Sequence, residues 1–225
     1  MDEPTGPYLT ALPKITYKQP TREPRLVQLH GASGSGKTTL IRHFIRDMEI
    51  ESHEANRAVG RQDMFHSMQK KPIAEVYLFE HLPRPVVLIG HYQAACGGAD
   101  TLKSRALPYE IAREALIKGY DVLVEGIFLS VEVWRVKALQ EDAYARWNVF
   151  LDIPIEDCEE SVQQRREAAG KARRPLKQME AYHPRIMHTF NRLAGEGVDN
   201  LVHVKEPTTD TTRAKALSMV KELLR

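Results

Sequence analysis

Gly31, Gly34 and Gly36 run directly into Lys37 and Thr38 in the segment GASGSGKT, which satisfies G-x-x-x-x-G-K-[ST] in full. Glycines admit backbone dihedrals that turn successive N–H groups toward one anion. The ammonium of Lys37 can then reach the β and γ oxygens of a triphosphate, and the hydroxyl of Thr38 is a hard oxygen ligand suited to Mg²⁺. The expected nucleotide-binding residues are Gly31, Ser33, Gly34, Ser35, Gly36, Lys37, Thr38 and Thr39, with ATP and Mg²⁺ as the ligands. Two carboxylates stand where they could serve the same chemistry. Glu125 closes the apolar run DVLVE, as the acid of a Walker B segment does, and is expected to share the metal with Thr38. Asp100 follows the double glycine of CGGAD and is placed to hold or deprotonate an acceptor hydroxyl. Either acid could be the base. A third group is cationic: QRREAAGKARRPLK, residues 164–177, carries Arg165, Arg173 and Arg174 around Gly170. Arginines closing over a transferring phosphoryl group would spread its charge and exclude water. The plainer readings are a solvated basic face, a strand-end acid and a Gly-Asp turn.

These side chains need a scaffold, and the hydrophobic pattern supplies one. Arg25–His30 reads as a short buried strand, and the phosphate loop leads into a helix with Leu40, Ile41, Phe44, Ile45 and Met48 on one face. Strands are expected at 75–80, 85–92, 121–126, 148–153 and 201–204, with a weak polar stretch over 51–71. Pro108 and Gly119 bracket a helix. Further helices are expected from about Ser130, after Pro154, up to about Ala194 with a break at Pro184, and at the C-terminus. Strands alternating with helices imply a three-layer α/β fold, a mainly parallel sheet with helices on both faces, in which ligands bind beyond the carboxyl ends of the strands. The expected organisation is a proline-rich extended arm over 1–24 and one domain over 25–225, with a basic lid at about 164–177.

Composition bounds the rest. The chain has 225 residues, 42% hydrophobic and 28% charged, enough for one domain with a full core. No apolar run is long enough to span a bilayer and the N-terminus lacks a signal-peptide layout, so a cytoplasmic protein without membrane contact is expected. Two cysteines, Cys96 and Cys158, and histidines without i, i+4 pairs give no disulfide scaffold or zinc site. A net charge of +2 does not argue for nucleic acid, so such a partner must rest on local clusters. Lys14, Lys18, Arg22 and Arg25 of the arm and the lid cations are candidates for phosphates, and Tyr8, Tyr17, Phe65, Tyr92 or Trp134 for base stacking. No obligate protein partner is evident.

The lead-in FLDIPIEDCEESVQQR resembles the LDxPxExCxxRxxxR stretch before the lid of small P-loop kinases, with Ser161 in place of the first arginine. Together with HGASGSGKTTL, VVLIGHYQAACGGADTL and DVLVEGIFLS, it makes most of residues 25–205 resemble the phage P-loop kinases that act on 5-hydroxymethyluracil in DNA during thymidine hypermodification. That resemblance implies transfer of the ATP γ-phosphoryl group to a 5-hydroxymethyl oxygen in DNA, in the host cytoplasm. The residues alone leave three alternatives: a kinase of free nucleosides or nucleoside monophosphates, a kinase of polynucleotide 5′-hydroxyls, and a nucleotide switch that phosphorylates nothing.

Overall fold

A computed structural model of the chain describes residues 23–66, 69–93, 97–131, 134, 145–173, 175 and 177–225, the side chains of Gln178 and Met179 excepted. The arm expected over 1–24 falls outside these residues apart from Glu23 and Pro24, and with it Tyr8, Lys14, Tyr17, Lys18 and Arg22; Cys96 and Arg174 also fall outside them.

The strands are β1 Arg25–His30, β2 Val59–His66, β3 Gln69–Phe79, β4 Val86–Ile89, β5 Asp121–Glu125, β6 Ala145–Leu151 and β7 Leu201–Val204. They form one sheet in the order β2-β3-β4-β5-β1-β6-β7. Pairs β4·β5, β5·β1, β1·β6 and β6·β7 are parallel, and β2·β3 and β3·β4 antiparallel. The helices are α1 Lys37–Glu54, α2 Leu107–Ile117, α3 Ile127–Val131, α4 Ile155–Ala168, α5 Lys177–Gly195 and α6 Thr209–Leu224, with a 3-10 turn at Ala99–Thr101.

The period-2 alternation of buried strands divides the core between the two faces. Val27, Leu29 and Leu123 point to the side covered by α1, α5 and α6. Leu26, Val122 and Val124 point to the side of α2, where Ile111, Ala112 and Ala115 meet them. This is the expected three-layer, mainly parallel P-loop architecture.

The element boundaries differ from expectation at several places: β3 starts at Gln69 and β6 runs over Ala145–Leu151, and four further differences have a local cause. β2 was not expected, because an edge strand needs no apolar face: of its eight residues only Met64 is buried. α3 begins at Ile127 rather than near Ser130. Its first N–H is accepted by the Asp100 carboxylate, a cap supplied from 27 residues away that local pattern cannot reveal. α4 continues to Ala168, so the first five residues of the basic stretch are helical. α5 is helical through Pro184 without a break. Pro184 and Glu180 are both exposed, so water can satisfy the carbonyl that the missing N–H leaves open.

Candidate active site

β1 is the pivot of the site. It lies between β5 and β6, and Leu29 is paired with Glu125, so the phosphate loop and the Glu125 carboxylate leave the same edge of the sheet side by side. Gly34 has φ 86, and a Cβ there would lie 2.0 Å from the carbonyl oxygen of Cys158 at the start of α4. Only glycine lets the loop pass that close. α1 begins with Gly36 as its N-cap, with no side-chain cap and no acidic residue in its first turn. Its first N–H groups therefore face the loop without a negative side chain competing for them, the arrangement that receives an anion at a helix N-terminus.

Lys37 is 6% exposed and its Nζ donates to the carbonyl oxygens of Gly31 (2.8 Å) and Ala32 (2.9 Å). The ammonium is thus held at the loop by neutral acceptors, which phosphate oxygens would outcompete as charged ones. Thr38 Oγ1 donates to Glu125 Oε1 at 2.6 Å. Glu125 is 3% exposed, and burial pushes its carboxyl above the usual carboxylate range against the opposing pull of Lys37 and Thr38.

The double glycine before Asp100 has a structural reason that sequence spacing did not disclose. A Cβ on Gly98 would meet Glu125 Oε1 at 2.5 Å, and one on Gly97 would meet Thr38 Cγ2 at 3.0 Å. The loop after β4 therefore lies directly on the Thr38–Glu125 pair. It delivers Asp100, whose Oδ2 and Oδ1 accept from the Ile127 N–H at 2.8 and 3.0 Å. Desolvation raises the Asp100 carboxyl as well, opposed by the Ile127 N–H and by Lys37. Behind this loop sits the fully buried Glu75, which accepts from the Tyr92 N–H (2.7 Å) and the Tyr77 hydroxyl (3.1 Å). Tyr92 is itself 2% exposed with its hydroxyl on the Ile89 carbonyl, so it offers no face to a base, contrary to its candidacy as a stacking residue.

A cavity of about 610 Å³, open on one side, has walls from the phosphate loop, the first turns of α1, the Gly97–Thr101 segment, Glu125 and Ile127, and the C-terminal half of α4. Lys37, Thr38, Thr39, Ser33, Asp100, Glu125 and Arg165 all reach it. Arg173 is not on its wall. Its guanidinium donates to Glu160 at 2.8 and 2.9 Å and to Glu167 at 2.6 Å. Those partners are about half exposed, and solvent-exposed pairs of this kind are weakly held, so the pairing does not lock Arg173 out of the cavity.

Two cations of the cavity escaped sequence reasoning. Arg42, one turn into α1, donates to the Tyr92 carbonyl at 2.9 Å. Arg213 of α6 donates to the carbonyls of Ser35 and Gly34, both at 3.1 Å. Arg42 carried a weak signal, since it stands four residues after Thr38 on the helix that starts the site. Arg213, 179 residues from Gly34, carried none.

A hydroxyl and a carboxylate in contact at the cavity floor match the hard oxygen donors that Mg²⁺ prefers. Among the described residues no cluster of three or more His, Cys, Asp or Glu side chains could cage a metal alone.

Curated relatives place this geometry in context. The chain is 33% identical over 202 residues, 89% of its own length and 97% of the relative's, to a 5-hmdU DNA kinase of Pseudomonas phage PaMx11. It is 28% identical over 148 residues, 63% of its length and 72% of the relative's, to a 5-hmdU DNA kinase of Pseudomonas phage M6. No family model matches the chain. Among solved structures, a gluconokinase from Sinorhizobium meliloti 1021 superposes with a TM-score of 0.42 at 14% identity over 89% of this chain and 96% of that one, too weak a likeness to carry weight.

Proposed function

The chain belongs to the family of the phage 5-hmdU DNA kinases, and from that premise we propose that it transfers the γ-phosphoryl group of ATP to the 5-hydroxymethyl oxygen of 5-hydroxymethyl-deoxyuridine in DNA. The observation that carries this reading is the match along 97% of the PaMx11 relative, whose name states that acceptor. The cavity supports it, because it sets a phosphate loop against two carboxylates and an arginine at one sheet edge.

In this reading the loop N–H groups and Lys37 hold the β- and γ-phosphates, and Lys37 offsets charge gathering on their oxygens during transfer. Thr38 and Glu125 would hold Mg²⁺, which would supply positive charge against the phosphate oxygens. Asp100 orients the acceptor hydroxyl in line with the γ-phosphorus and takes its proton as the new O–P bond forms and the bond to the ADP oxygen breaks. Its side chain opens onto the cavity, and its raised carboxyl suits it to take a proton. Arg165, at the cavity wall, stabilises the equatorial oxygens, and Arg173 and Arg174 complete the closure when the lid folds inward.

The test is incubation with γ-labelled ATP and, separately, 5-hydroxymethyluracil DNA, unmodified DNA with 5′-hydroxyl ends, and free nucleosides and monophosphates. Label on the modified DNA is expected. Label confined to a free monomer would contradict the proposal, and hydrolysis with no labelled acceptor would favour a nucleotide switch.

A further inference from the structure

The β2–β3 hairpin extends past the carboxyl end of β4, on the edge of the sheet where the cavity opens. β4 is paired to β3 only over Ala74–Tyr77, so Gln69–Ile73 of β3 and the facing end of β2 reach beyond it. The β2–β3 ladder is regular as far as Met64 and Ala74 and then shifts register before His66. The extra residues of this irregularity lie on β3, between Gln69 and Ala74, opposite the single residue Phe65 of β2. Phe65 is 61% exposed on a strand whose other apolar residue at this end, Met64, is buried.

Exposed Lys70 and Lys71 stand opposite, and neither forms an ion pair among the described residues. The acid on this end of β2, Asp63, is taken up by Arg61 at 2.7 Å. The hairpin end thus presents an aromatic face beside net positive charge. It is also tied to the cavity wall: the Lys103 N–H donates to Gln69 Oε1 at 3.3 Å, and Gln69 Nε2 donates to the Lys71 carbonyl at 3.1 Å. Lys103 lies three residues beyond Asp100, so the turn that carries the acceptor-side carboxylate also braces the hairpin.

We propose that this hairpin is the contact through which the enzyme grips duplex DNA, with Lys70 and Lys71 on backbone phosphates and Phe65 inserted into the stack left by the extruded nucleotide. The inference rests on the DNA-acceptor reading above. The 5-substituent lies on the major-groove edge, and in this proposal the target nucleotide leaves the stack to bring it into the cavity beside Asp100, with an apolar wedge offsetting the lost stacking. Lysines at phosphate reach supply sequence-independent affinity.

The experiment measures binding of a dye-labelled duplex, carrying one 5-hydroxymethyluracil beside 2-aminopurine, to the full chain across a salt series. Compared are wild type, Lys70→Ala with Lys71→Ala, and Phe65→Ala; all three sites are exposed, and melting curves check that each variant folds. The double variant should bind more weakly, and its log Kd against log salt slope should fall by about 2, close to one counterion per lost contact. Phe65→Ala should weaken binding roughly tenfold with an unchanged slope, and the 2-aminopurine brightening that accompanies extrusion should vanish. ATP affinity and background hydrolysis should be unchanged in both. Wild-type affinity, slope and brightening in folded variants would overturn the proposal, as would a hairpin buried in a dimer of this chain that dissociates on Phe65→Ala. Failure of the DNA-kinase reading registers separately, as absence of labelled product from wild type, because the hairpin is judged on binding alone.

Discussion

At the scale of single residues, Lys37, Glu125 and Asp100 make distinguishable predictions. Lys37→Ala removes a cation aimed at the growing charge on the β and γ oxygens and should lower turnover by about 10² or more in a folded protein. Glu125→Gln should impair both transfer and background ATP hydrolysis, whereas Asp100→Asn should spare ATP affinity and hydrolysis while transfer falls by about 10² to 10⁴. Paired kinetics of the two reactions check this, and equal losses for Asp100→Asn would contradict its assignment to the acceptor. Burial also makes Glu125 a stability liability. Its carboxyl titrates above its unfolded value, so the native state binds more protons than the unfolded chain in that window, and stability falls as pH rises through it. Glu125→Gln keeps an acceptor for Thr38 without the desolvated charge. It should melt a few degrees higher than wild type near pH 8, with the gap closing toward pH 4; a gap that widens on acidification would show that the ionised form stabilises the fold.

At the scale of elements, the site depends on a glycine loop pressed against two elements at once. Gly98, at φ 78 and ψ −173, touches the Glu125 carboxylate, whereas Gly170, at φ 68, has nothing within 4 Å of an added Cβ. Gly98→Ala should therefore melt lower than wild type by about 3–10 °C and lose activity, and Gly170→Ala by only a fraction of that. Equal losses would mean that backbone conformation alone, and not contact with Glu125, fixes the loop. The strands β1, β5 and β7 were legible to within a residue: β5 carries an unbroken buried apolar run, and β1 and β7 are short apolar segments interrupted inside only by Gln28 and His203. The phosphate loop and Glu125 were legible as site candidates because each stands at the carboxyl end of a strand, and Asp100 because it follows a double glycine on the loop that leaves β4. β2 was illegible because its two faces are nearly alike in polarity, and the start of α3 because its cap is remote. The placement of Arg213 against Gly34 is a product of how α6 returns to α1, which no local pattern encodes.

At the scale of the whole molecule, a net charge of +2 means that any DNA affinity must come from where charge is placed. The placement favours one edge: the phosphate loop, Arg42, Arg165 and Arg213 reach the cavity there, and the hairpin lysines lie beyond the end of β4. No helix among the described residues is long and apolar enough to cross a membrane. The central claim is that the cavity phosphorylates a base substituent within DNA rather than a strand end or a monomer. The most direct measurement uses a duplex with both 5′ ends blocked and a single internal 5-hydroxymethyluracil, beside the same duplex bearing thymine, each incubated with enzyme and γ-labelled ATP and then digested by nuclease without phosphatase. The label should be recovered on the 5-hydroxymethyl oxygen of the one modified nucleotide and be absent from the thymine duplex. Label on both duplexes, or on neither while unblocked 5′ ends are phosphorylated, would contradict the account.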